Sequence, residues 1–373
     1  MAGIYIHIPF CKKACHYCNF HFSTTQATKP AMVAAIAKET ALRKNYLTDT
    51  VTTIYFGGGT PSLLTFEELQ AILHNIRHYF NITIDAEITL EANPDDISRD
   101  KLLEWKQAGI NRLSIGIQSF FEEDLVWMNR AHTALQGKEC IRLARENGFS
   151  NLTIDLIYGT PGLTNDRWLS NIDTAITLGV PHISAYALTV EPKTALDQQI
   201  QKGKKEDIDP DLQAGHFEIL TEKLAEAGFE HYEISNFAKP GFRSKHNSSY
   251  WQGQPYLGLG PSAHSFNGTT RQWNISNNAL YLQFLEKDTI PAESENLTPI
   301  QQLNEYIMTS LRTMEGCSLS LIEEKWGKEV KSAIKSASGK YLSEGYLISQ
   351  NDTLVLSPKG KFLADGIAAN LFQ

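Results

Sequence analysis

The chain has 373 residues, past the roughly 250 to 300 at which a single hydrophobic core stops growing, so one large domain with a smaller one is expected. Hydrophobic residues make up 42% and charged residues 20%, with 17 Phe, 14 Tyr and 6 Trp, which excludes a disordered or collagen-like chain. The formal net charge of -8 argues against electrostatic capture of nucleic acid or an anionic membrane and leaves room only for a local basic pocket.

After Met1 the sequence enters a strand-like run at Ile4 with no basic leader. It contains no apolar run approaching the roughly 18 residues of a membrane span. The expectation is a cytoplasmic protein without a transmembrane segment. Six short segments alternate apolar and polar residues and are each followed by a longer helical stretch: Ile4 to Ile8, Ile54 to Gly57, Glu87 to Glu91, Leu113 to Gln118, Thr153 to Leu156, and His182 to Ala187. Repeated βα units predict a parallel sheet. The spacing predicts helices over Phe66 to Tyr79, with Leu69, Ile72, Leu73 and Ile76 on one stripe, and over Ala134 to Asn147, closed by Gly148.

Strand parity carries more information. Isoleucines and leucines fill one face, while the other holds Tyr5, His7, Tyr55, Gly57, Glu87, Thr89, Glu91, Ser114, Gly116, Gln118, Thr153, Asp155, Ser184 and Tyr186. A parallel barrel normally fills its interior with branched apolar side chains, so a polar inner face predicts an open lumen that holds a polar ligand. The alternative is a sheet with one solvated face, an arrangement that suits antiparallel sheets better. The preferred architecture is α/β, an incomplete six-stranded parallel (β/α)6 barrel. Its site would lie at the C-terminal strand ends.

Cys11, Cys15 and Cys18 sit after the first strand, spaced with three and then two intervening residues, while Cys140 and Cys317 stand alone. Such crowding suggests a metal centre. Two readings remain open from spacing: a structural zinc with His16 or His21 as fourth ligand, or an iron-sulfur cluster with three cysteines and one open iron. After the second strand comes Gly57-Gly58-Gly59-Thr60-Pro61-Ser62, where backbone groups can approach a ligand with no side chain between. It is neither a P-loop nor a dinucleotide fingerprint, and a tight turn would explain it equally well. Glu91, Gln118 and Asp155 are individually unremarkable, but they share one parity.

Tyr5-Ile6-His7-Ile8-Pro9-Phe10-Cys11 running into Cys-x3-Cys-x2-Cys, followed by Gly-Gly-Gly-Thr-Pro-Ser, resembles the radical S-adenosylmethionine (SAM) proteins related to oxygen-independent coproporphyrinogen III oxidase. Glu91-Ala92-Asn93-Pro94, Ser114 to Phe120 and Asp155-Leu156-Ile157-Tyr158-Gly159 extend the likeness over nearly the whole chain. The resemblance implies a [4Fe-4S] cluster on Cys11, Cys15 and Cys18. It also implies SAM contacts from Tyr5, Tyr17, Gly58, Gly59, Thr60, Glu91, Gln118, Arg130 and Asp155. Phe20 occupies the place of the oxidase's extra cysteine, and His246-Asn247-Ser248-Ser249-Tyr250-Trp251 matches the haem-binding motif of the family's haem-chaperone branch. On that likeness His246 would ligate haem iron, with Asn247 beside it and Tyr250 and Trp251 against the porphyrin. Read without the likeness, His246 belongs to a solvated polar loop.

Beyond about residue 290 the pattern changes. Helices are expected over Pro299 to Arg312, Leu319 to Trp326 and Lys328 to Leu342, then a hairpin through Asn351-Asp352 and a final helix after Pro358. This resembles a winged-helix module. Residues 298 to 373 hold eight Lys/Arg and eight Asp/Glu, so no DNA-binding face is advertised. The expected division is a barrel over 1–235, a connecting region with the haem loop over 236–290, and an accessory domain over 291–373. The expected function is a haem chaperone, served by a haem-acceptor protein and by a low-potential electron donor such as flavodoxin or ferredoxin. A porphyrinogen-decarboxylating oxidoreductase and a zinc-stabilised binding protein are the alternatives.

Overall fold

The computed structural model describes residues 1–373. Six parallel strands follow one another across the sheet: β1 (Ala2–Ile8), β2 (Val51–Gly58), β3 (Ile82–Ala92), β4 (Arg112–Gln118), β5 (Leu152–Tyr158) and β6 (His182–Ala187). Each is adjacent to its neighbour in sequence, as right-handed βα repeats require. The strands begin and end within a few residues of expectation, except β3, which starts five residues earlier.

The sheet does not stop at six strands. β7 (Glu230–Glu233) and β8 (Asn236–Ala238) extend it beyond β6, while β9 (Tyr256–Leu259), β10 (His264–Phe266), β11 (Thr270–Asn274) and β12 (Ala292–Asn296) extend it beyond β1, giving twelve strands. β9 pairs with β1 in parallel, and the outer strands are antiparallel. These three- to five-residue strands carry no clear alternation, and long-range pairing creates them. Segment 236–290 is thus part of the main sheet.

Helices cover the outer face. Phe66–Tyr79 starts at Thr65, whose hydroxyl accepts from Glu68 N while the Glu68 carboxylate accepts from Thr65 N, a reciprocal capping box. Leu69, Ile72, Leu73 and Ile76 of this helix are buried in one core with Ile4, Ile6, Ile8, Ile54, Phe56 and Leu90. The apolar parity therefore faces helices. The polar parity lines an interior: Thr89, Ser114, Thr153 and Ser184 are buried, so the solvated-face alternative does not hold. Register aligns Glu91 with Ser114, Ser114 with Thr153, and Thr153 with His182.

A second apolar core runs from Leu303 to Leu371. It joins the helices Pro299–Leu311, Leu319–Trp326 and Lys328–Ser343 to a three-stranded sheet of β13 (Cys317–Ser318), β14 (Leu347–Gln350) and β15 (Thr353–Leu356). Since β12 still belongs to the main sheet, this unit begins closer to residue 297 than to 291. No helix is long and apolar enough to cross a membrane.

Candidate functional site

The cysteine loop leaves β1 and is closed at its base by Cys11 N donating to Ser23 O at 3.0 Å and Ser23 N donating to Pro9 O at 2.9 Å. Its flanks are pinned as well. Asn129 Nδ2 donates to Ala14 O at 2.7 Å, His16 N to Met128 O at 3.2 Å, and His7 Nε2 pairs with His21 O at 2.8 Å. Gly59 N and Thr60 N donate to Ile8 O and Phe10 O at 2.9 and 2.7 Å, lacing the glycine loop to the cysteine loop. A Cβ on Gly59 would stand 2.6 Å from Phe10 O and 2.7 Å from Ile8 O. Close backbone approach, not a left-handed turn, explains this glycine.

Cys11, Cys15 and Cys18 line one cavity of about 370 Å3 with Tyr17, Gly58, Gly59, Thr60, Glu91, Gln118, Arg130 and Asp155. Eleven of the expected site residues thus come together at the C-terminal strand ends. Arg130 Nη1 donates to Cys15 Sγ at 3.2 Å and its Nη2 to Asn93 Oδ1 and Gly116 O, both at 2.8 Å. Gln118 holds a φ of 66° at an irregularity in the β4–β5 register, an uncommon conformation for a residue with a side chain. Burial raises the Cys11 thiol and pushes Cys18 to about 11, against the pull of Arg130.

Two acids face this cavity. Burial, reinforced by the Asp155 charge, pushes Glu91 up to about 8, although Tyr55 Oη donates to its Oε1 at 2.8 Å. Burial lifts Asp155 to about 6, opposed by the Ser184 hydroxyl and the Arg112 and Arg130 charges. Both carboxylates would return toward ordinary values beside a ligand that offers cationic or hydroxyl donors.

The residues present fit an iron-sulfur cluster and SAM. No three His, Cys, Asp or Glu side chains converge tightly enough to hold a single metal ion. A cluster, in contrast, takes each thiolate on its own iron. The two histidines weighed for zinc are each anchored through one ring nitrogen. His16 Nδ1 is engaged by Trp127 O at 3.1 Å and Lys205 Nζ at 2.9 Å, and His21 Nε2 by Asn278 Oδ1 at 2.7 Å.

The expected haem motif is not a loop. Lys245–Trp251 is a short helix capped by Ser244, and its first backbone amides, Lys245 N and His246 N, donate to the Glu87 carboxylate at 3.2 and 3.1 Å. This seats His246 at the lower end of the lumen, 1% exposed. Its Nδ1 pairs with Thr53 Oγ1 and its Nε2 with Tyr250 Oη, both at 2.8 Å, and the ring stacks on Tyr55 at 5.0 Å. Burial, then the Arg112 charge, depresses the imidazole to about 3. Both ring nitrogens are thus engaged within the protein, and an iron at either would displace Thr53 or Tyr250. Neither His246 nor Asn247 lines a principal cavity.

Tyr5, Tyr250 and Trp251 instead line a neighbouring cavity of about 830 Å3 between β9–β11 and the C-terminal helices. Tyr5 Oη pairs with His7 Nδ1 at 3.3 Å. Asn19 and Phe20 line both cavities. Sequence reasoning missed Arg112, 1% exposed, whose Nε lies 4.0 Å from Glu87 and whose guanidinium nitrogens lack hydrogen-bond partners. Its parity with Ser114, Gly116 and Gln118 was the available signal.

Comparison with known proteins agrees with this architecture. Residues 5–175 match the model of the radical SAM superfamily, and residues 297–363 match the HemN C-terminal domain. The structure of coproporphyrinogen III oxidase (HemN) from Escherichia coli superposes with a TM-score of 0.87 at 23% identity, over 100% of this chain and 90% of that one, which establishes a shared fold. The protein named heme chaperone HemW from Mycobacterium tuberculosis strain H37Rv is 35% identical over 99% of this chain and 94% of its own length. Its namesake from Bacillus subtilis is 34% identical over 98% of both. With likeness of that degree running from end to end, the chain belongs to the HemW family within the radical SAM superfamily.

Proposed function

We propose that the chain is a haem chaperone that binds haem and passes it to acceptor proteins, and that it carries a [4Fe-4S] cluster on Cys11, Cys15 and Cys18 with SAM beside it. The observation that carries this reading is end-to-end likeness to relatives named heme chaperone HemW. The geometry supports it through Asn19 and Phe20, which give a polar, acid-lined cavity and a larger aromatic one a common wall.

When bound and reduced, the cluster supplies the electron that cleaves the carbon-sulfur bond of SAM. The chain's own residues supply the setting. Gly58 and Gly59 expose backbone to the methionine end, Glu91 and Asp155 accept hydrogen bonds from ammonium or ribose hydroxyls, and Arg130 offsets the buried negative charge. Tyr17 walls the same space, which shields reactive species from water. We assign residues 1–296, whose strands share one sheet, to the barrel with its extensions, and the residues from 297 onward to the accessory unit. A flavodoxin- or ferredoxin-like donor and a cytoplasmic setting complete the reading.

The oxidase fold likeness keeps a second reading in play, a porphyrinogen-oxidising enzyme. Phe20 argues against it, since it stands where the resemblance places the oxidase's extra cysteine. Anaerobically reconstituted protein is expected to bind haem and to leave coproporphyrinogen III unconverted. Formation of protoporphyrinogen IX would replace the chaperone reading with the oxidase one.

A further inference from the structure

We infer that Arg112 is a positioning residue for the Asp155 carboxylate, its uncommitted guanidinium acting across the lumen floor to keep that acid charged for a cationic ligand. The inference rests on the SAM reading of the cavity beside the cysteines and adds a residue that does not line it.

Arg112 opens β4 on the same parity as Ser114, Gly116 and Gln118, all three of which line that cavity. It is 1% exposed, and none of its three guanidinium nitrogens has a hydrogen-bond partner in the protein. The carboxylate that comes within ion-pair distance is Glu87, with Oε2 4.0 Å from Nε, which is beyond hydrogen-bond reach. Both Glu87 oxygens are already engaged, by His246 N at 3.1 Å and Lys245 N at 3.2 Å. Register sets Thr89 of β3 beside Arg112, and its buried hydroxyl also lacks a protein partner. Polar groups this deep need partners, and water shared by Arg112 and Thr89 supplies them without neutralising the charge.

That charge is felt by Asp155. Burial raises the proton affinity of this acid, and the Ser184 hydroxyl, Arg112 and Arg130 oppose it in that order. Glu91 faces the same cavity and is coupled to Asp155 as a like charge. Arg130 commits Nη1 to Cys15 and Nη2 to Asn93 and Gly116. Arg112 has no such commitment. It favours the carboxylate from a distance and leaves the Asp155 oxygens open, whereas a cation in contact would occupy them. SAM carries a sulfonium and an ammonium, and an ionised acid attracts both while accepting from ribose hydroxyls. The structural alternative is that Arg112 only balances the buried Glu87 charge.

Anaerobic calorimetric titration of the cluster-loaded full chain with SAM, at about pH 6.5, tests this through a double-mutant cycle. Arg112→Met should weaken SAM severalfold. Arg112→Lys should restore the affinity, since no fork contact has to be reproduced. In an Asp155→Asn background the Arg112→Met change should cost less than about twofold. An equal loss in both backgrounds, or an affinity unchanged or improved in Arg112→Met, would overturn the inference and leave the SAM reading standing. Removing one buried charge strands the other, so if Arg112→Met does not fold, Arg112→Met combined with Glu87→Gln takes its place in the cycle. Cluster-loaded wild-type protein that takes up no SAM would overturn both.

Discussion

Arg130 and Cys15 are 115 positions apart in sequence, yet Nη1 of the first donates to Sγ of the second at 3.2 Å. The same guanidinium holds Gly116 O on β4 and Asn93 after β3. The middle cysteine of the loop is thereby referenced to β4 and to the turn after β3, so its position depends on a residue distant in sequence.

Reconstitution under anaerobic conditions should give about four irons and four sulfides per chain. Cys15→Ala should reduce both severalfold, as iron and sulfide analysis would read directly. Stoichiometric zinc in place of iron would return the site to the structural alternative.

Glu91→Gln separates binding from stability. The folded carboxyl titrates near 8, above its unfolded value, so its unfavourable contribution grows as pH rises from about 4.5 through 8. The amide removes that penalty and keeps an acceptor for Tyr55. The unloaded variant should be more stable than wild type at pH 8, by about 1 to 3 kcal/mol, and equal to it near pH 4.5. Its SAM affinity should drop about tenfold. Urea midpoints at the two pH values and calorimetric SAM titration check the pair of effects.

His246→Ala should destabilise the unloaded protein at pH 7.5 by about 2 to 4 kcal/mol, since it opens a cavity and leaves the Thr53 and Tyr250 hydroxyls unpaired. Acid should erode the difference. The folded imidazole titrates near 3, so below pH 6.5 the unfolded wild-type chain gains a proton that the folded one refuses, and wild-type stability falls as pH drops toward 3. The gap between variant and wild type should be smaller at pH 5 than at pH 7.5 in denaturant titrations. An equal gap at both would mean that the folded ring takes up its proton over the same pH range as the unfolded one.

Gly59→Ala adds one methyl against two backbone carbonyls, neither of which can step aside as a flexible side chain would. A cost of about 1 to 3 kcal/mol is expected, concentrated at the junction of the glycine and cysteine loops. Faster loss of iron in air than in wild type, measured by the decay of visible absorption, would report it.

Strand parity and helix periodicity made the six-stranded parallel core legible, because burial of Ile4, Ile54, Leu90 and their neighbours follows a local period of two. Local sequence also placed the three cysteines and the Glu91 and Asp155 carboxylates around one space. What escaped was set by distant partners. Lys245–Trp251 is a run of Asn, Ser and aromatic residues with weak helix preference, and the Glu87 carboxylate under its first amides settles its conformation. β10 has three residues, too few for any pattern, so nothing marked this strand before β9 and β11 were seen on either side of it.

His246, Glu87 and Arg112 are all buried, and none of them lines the cavity beside the cysteines. The wall that this cavity shares with the larger one is instead Asn19 and Phe20, both on the cysteine loop. A change in that short loop would thus be felt in both spaces at once, with no moving part required inside the barrel.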